Sequence, residues 1–89
     1  MKIKRSKSRA LNEAMYEVVD NQLRDENPPE TKQTLERLLA EGHSPEDARR
    51  MLAAVVASEV FEVLKRKQPY DPARYLAALQ RLPKLPGEP

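Results

Sequence analysis

The chain has 89 residues, 39% of them hydrophobic and 34% charged, with no cysteine. It is long enough for one small domain, and it can hold no disulfide, no thiolate metal site and no cysteine nucleophile. Sixteen Lys and Arg face 14 Asp and Glu, but Lys2, Lys4, Arg5, Lys7 and Arg9 are five of those bases, leaving residues 10–89 at 11 against 14, net −3.

The basic balance therefore belongs to an N-terminal arm and not to the surface of the domain, which argues against a body that itself binds nucleic acid. No stretch is apolar for long enough to span a membrane, and the basic N-terminus lacks the apolar run of a signal peptide. A cytoplasmic location is expected. At this length the core is small, so a partner or self-association is expected to matter to stability.

Residues 1–8 show no apolar period and are expected to form a flexible arm, with Ser8 capping a first helix over about 9–24. In that helix Leu11, Met15, Val18, Val19 and Gln22 share one side, while Glu13, Glu17, Asp20 and Arg24 share the other. Asn27-Pro28-Pro29 breaks the chain. Asn27 and Glu30 have capping-box spacing for a second helix, about 28–41, burying Thr31, Leu35, Leu38 and Leu39. Gly42 supplies the left-handed residue that closes it.

Ser44 then caps and Pro45 opens the longest helix, about 45–67, with Glu46 and Asp47 at its positive end and Lys65, Arg66 and Lys67 at its negative end. Leu52, Val56, Val60 and Val63 share one side, widened by Ala53, Ala57, Phe61 and Leu64. Met51 and Val55 fall outside that stripe, so Met51–Ala57 is apolar all round, as in a helix that is surrounded. After Gln68-Pro69-Tyr70, Asp71 caps and Pro72 starts a fourth helix, about 72–82, presenting Tyr75, Leu76, Leu79 and Leu82. Tyr70 and Tyr75 have hydrophobic-staple spacing. Residues 83–89, rich in proline, are expected to be a disordered tail. The expected fold is all-α: a compact four-helix bundle-like domain spanning 9–82 around the helix at 45–67.

Candidate sites are few. Residues 39–52 have a helix-turn-helix look, but Glu46 and Asp47 would face phosphates with like charge, and only Arg49 and Arg50 are placed to reach bases; a structural hairpin is the stronger reading. The same stretch departs from a ubiquitin-associated domain, because Glu41, Gly42 and His43 replace the apolar loop of that fold. His43, the single histidine, has no catalytic neighbours in sequence and takes a structural role after the closing glycine.

Glu13/Glu17 and Glu59/Glu62 have the helical spacings of a carboxylate metal site, but no histidine accompanies them and Glu62 stands four before Arg66, so ion-paired faces are expected. No triad, phosphate loop or zinc spacing is present. No cofactor, no metal and no catalysis is expected. The arm residues Lys2, Lys4, Arg5, Lys7 and Arg9 could follow a phosphate backbone, without aromatics for base stacking. The apolar excess at Met51 and Val55 suggests self-association.

Residues 11–82 resemble a family of small uncharacterised bacterial helical domains. The resemblance is carried by Asn21-Gln22-Leu23, Pro28-Pro29-Glu30, Thr34-Leu35, the Gly42 turn and Tyr75-Leu76. It implies the fold and brings no activity. Many relatives carry histidines where this chain has Asn12, Tyr16, Glu46 and Arg50, so the resemblance carries no metal site over to it. The leading expectation is a non-catalytic protein-interaction or self-association module; the alternative is a nucleic-acid-associated accessory protein acting through the arm.

Overall fold

The computed structural model describes the backbone of residues 2–88 and the side chains of residues 12–88. Four helices and no strand lie among the described residues: α1 (Lys2–Asp25), α2 (Pro29–Ala40), α3 (Pro45–Arg66) and α4 (Pro72–Arg81). The expected all-α bundle is the observed fold. None of these helices is long and apolar enough to cross a membrane.

Two helix starts follow from local chemistry. The Ser44 hydroxyl accepts the Asp47 N–H at 3.1 Å, ahead of Pro45. The Asp71 carboxylate accepts from the N–H groups of Ala73 and Arg74 at 3.0 and 3.3 Å, ahead of Pro72. Each cap satisfies donors that have no partner within the helix. Tyr70 and Tyr75 meet across the second start with ring centroids 6.0 Å apart, forming the expected staple. The end of α2 is as regular: Gly42 sits at φ 101°, His43 N–H donates to Leu38 C=O and Gly42 N–H to Leu39 C=O, both at 3.1 Å. This is the Schellman closure that only a residue at ease in left-handed backbone makes without strain.

Three boundaries differ from expectation. α1 begins at Lys2 and not near residue 9; no Gly or Pro interrupts the stretch, and its Lys, Arg and Ala extend a helix more readily than Ser8 stops one. The side chains of Lys2, Lys4, Arg5, Lys7 and Arg9, on which the nucleic-acid expectation rests, lie outside the described residues. Asn27 does not cap α2: Pro28 takes the cap position with no side-chain bond to the helix. Asn27 N–H instead reaches back to Gln22 C=O at 3.1 Å, ending α1 beyond Glu26 at φ 49°. The tail is not structureless either. Buried Leu82 anchors it, and turns close through Lys84 N–H to Arg81 C=O and Glu88 N–H to Leu85 C=O.

The core is built from Val19 of α1, Leu38 of α2, Ala48, Leu52, Ala53, Val55 and Val56 of α3, Tyr75 and Leu79 of α4, and Leu82. Both α2 and α3 touch all three other helices, so the centre expected for α3 alone is shared. Leu39 and Val18, expected inside, are exposed, whereas Thr31 and Thr34 are buried on α2.

The largest departure is on α3. In its first half Leu52, Ala53, Val55 and Val56 are buried but Met51, Ala54 and Ala57 are only half-buried, so the expected all-round burial is partial; further on, Val60, Phe61 and Leu64 are 40%, 60% and 72% exposed. The reason is length. α2, with 12 residues, runs about 18 Å, and α3, with 22, runs about 33 Å. A tight hairpin at residues 41–44 lets α2 cover α3 only to about residue 57, and the rest overhangs.

Candidate functional site

Ion pairs and hydrogen bonds account for most of the polar residues singled out in the sequence. Arg49 makes a two-pronged bond to Asp20 at 2.9 and 2.7 Å and stacks over Tyr16, its guanidinium carbon 4.4 Å from the ring centroid. That arginine holds the Asp20 carboxyl below the ordinary aspartate range. Arg50 bonds Asp47 at 3.0 Å within its own helix. Both arginines are thus engaged by carboxylates of the protein itself.

Glu59 is nearly covered. Its carboxylate accepts two bonds from Arg74 of α4, at 3.0 and 2.6 Å, and a longer one from Asp71 N–H at 3.4 Å. The arginine first, and the backbone N–H after it, hold the Glu59 pKa down against the opposing effect of burial. Glu62 pairs with Arg66 at 2.6 Å. Glu13 and Glu17 are exposed. The two glutamate pairs therefore form no common site, and no group of three His, Asp or Glu ligands occurs among the described residues. His43 is half-buried, its Nε2 4.0 Å from the Glu41 carboxylate, and its backbone N–H serves the α2 closure.

A polar knot passes unseen in the sequence. Gln22 Oε1 accepts from Thr31 Oγ1 and from Tyr75 Oη, each at 2.8 Å. It joins α1, α2 and α4 inside the core, with Thr31 and Tyr75 essentially without exposure. Burial pushes the Tyr75 phenol pKa up. The spacing of an amphipathic helix places Gln22 on the inner face, but nothing local links it to Tyr75, 53 residues later.

The two residues expected to mediate self-association are core residues. Val55 is 1% exposed and Met51 is half-buried against the core cluster. The unpartnered apolar surface lies one to two turns further along α3. There Val60, Phe61 and Leu64 border a groove of ≈ 520 Å³ with Met15, Ala54 and Ala57, its lining almost wholly apolar. A second groove of ≈ 280 Å³ shares Met15, Ala54 and Ala57 and continues to Asn12, Tyr16 and Arg50. Together they make one furrow along the α1–α3 seam, apolar at the Leu64 end and polar at the Arg50 end.

Compared with known proteins, the chain matches no family model, no curated protein and no solved structure.

Proposed function

We propose that this protein is a non-catalytic interaction module, acting in the cytoplasm, whose α1–α3 furrow receives a helix of another polypeptide. The observation that carries the reading is the exposure of Val60, Phe61 and Leu64 on the overhanging end of α3. Phe61 and Leu64, with Ala57, keep the spacing of helix-facing anchors, and small half-buried Ala54 and Ser58 in the same groove let a second backbone come close. Against an enzyme stands the engagement of Glu59, Glu62, Asp20 and Asp47 by arginines, which leaves these four carboxylates no poised proton acceptor.

The test is a titration of the full chain against a labelled amphipathic peptide with leucines at i, i+3, i+4 and i+7 and glutamines elsewhere. Binding is expected, and is expected to disappear in the Phe61→Asp, Leu64→Asp double variant while its melting temperature holds. No binding, or binding indifferent to the double substitution, refutes the reading.

A further inference from the structure

We infer that the polypeptide received by this furrow is a second copy of the same chain, the apolar strips of two α3 helices meeting antiparallel about a two-fold axis near residue 59. The inference rests on the proposed docking role of the furrow and adds the identity of the occupant. Its basis is the grading of the strip along the helix. Ala54, Ala57 and Ser58 are small and half-buried beside Met15, and they form a recessed half. Phe61 and Leu64, one and two turns beyond Ala57, are large and mostly exposed, and they form a protruding half. A two-fold axis across α3 near residue 59 sets Phe61 of each copy level with Ala57 of the other, and Leu64 level with Ala54. At about 1.5 Å per residue this contact runs roughly 15 Å along the helix. Each copy then supplies both a protrusion and the recess that takes it, which is what a closed two-fold pair requires.

The charges around the strip permit the pairing. Among the described residues they carry both signs: exposed Glu13 and Glu17 on α1, Lys65 at 5.7 Å from the Phe61 ring centroid, and the Glu62–Arg66 pair on α3. A rim of mixed sign sets no single charge against itself when the surface is copied. The area sets the strength. At their exposures Val60, Phe61 and Leu64 leave on the order of 300 Å² of apolar surface per copy, under half of the roughly 800 Å² that each partner brings to a standard interface. The pair is therefore weak and exchanging, with a dissociation constant on the order of 100 μM, and not an obligate dimer.

Other occupants match the grading less well. A helix of uniform leucines enters the recess but meets Phe61 and Leu64 large against large, so it acts as a competitor of the second copy. A lipid surface takes the protrusion and leaves the recess unfilled. Nucleic acid leaves the whole strip in water.

The experiment is sedimentation equilibrium of the full chain from about 10 μM to about 1 mM, where a monomer–dimer equilibrium is expected. Leu64→Glu, at an exposed position, is expected to weaken the dimer at least about tenfold with the melting temperature unchanged. The leucine peptide that tests the furrow is expected to dissociate it. Single-cysteine variants joined by a short bis-maleimide read the orientation, since the chain has no cysteine of its own. Ser58→Cys, beside the axis, is expected to link two copies, whereas Arg50→Cys stays unlinked because antiparallel pairing holds its two copies about 27 Å apart. A chain that stays monomeric at the highest concentration overturns the second copy; the docking role survives if the peptide still binds and falls with it if the peptide does not. A dimer indifferent to Leu64→Glu or to the peptide, or one linked through Arg50→Cys and not through Ser58→Cys, overturns the inference as well.

Discussion

Replacing Gln22 by Ala tests the polar knot at the centre of the bundle. One oxygen, Gln22 Oε1, accepts from both Thr31 and Tyr75 at 2.8 Å, and no buried side-chain polar atom among the described residues is left without a partner. The substitution removes two hydrogen bonds, each worth about 1 kcal/mol net, and strands two hydroxyls whose desolvation costs about 1–3 kcal/mol each when unmatched. Gln22 is itself half-buried, so water entering the vacated space recovers part of the loss, and Ala is slightly the better helix former. The expected cost is about 2–4 kcal/mol, a large fraction of the roughly 5–15 kcal/mol that holds a domain together. Tyr75→Phe, which removes one donor and leaves Thr31 bonded, is expected to cost only about 0.5–1.5 kcal/mol. Urea unfolding of wild type, both single variants and the double variant closes the cycle, with a coupling of about 1 kcal/mol expected because the second loss is partly made already. A Gln22→Ala cost below about 0.5 kcal/mol, or a coupling of zero, would refute the reasoning.

The other predictions concern charge, packing and backbone. Glu59→Gln is expected to cost about 1–3 kcal/mol at neutral pH, the partial exposure of Arg74 trimming the value for a fully buried pair. Because Arg74 depresses the folded pKa of Glu59, the pair's contribution is full above the ordinary glutamate value of about 4.3 and fades as pH falls through the lower folded value; thermal melts of wild type and variant should converge in acid, and a constant gap would contradict the assignment. Leu52→Ala, at a site with no exposure, should cost about 2–5 kcal/mol, whereas Leu64→Ala, on the overhang, should stay within about 0.5 kcal/mol of wild type; equal costs would mean that the overhang is packed. Gly42→Ala meets no atom within 4 Å, so its expected loss of about 1–2 kcal/mol is purely that of a side chain held at φ 101°. A neutral result in chemical denaturation would show that the turn relaxes.

What the sequence by itself determined is what short-range chemistry determines. Ser44-Pro45, Gly42 and Asp71-Pro72 set helix ends because a cap or a left-handed residue acts on donors, acceptors and dihedrals two to five residues away. The apolar run of Met51–Ala57 likewise marked the helix that supplies most of the core, through Leu52, Ala53, Val55 and Val56. Local signals failed where they were weak or contested, as at Ser8, which does not stop a run of good helix formers, and at Asn27, whose N–H went to the end of α1.

The candidate site was not legible at all. Val55 and Leu64 are alike in hydropathy and lie on one helix, yet one is 1% exposed and the other 72%. Only the tertiary structure decided between them, because α2 stops short of α3 and burial depends on which partner helix reaches a given turn. The meeting of Gln22 with Thr31 and Tyr75 is of the same kind. It is a contact between elements distant in sequence, set by how the helices dock.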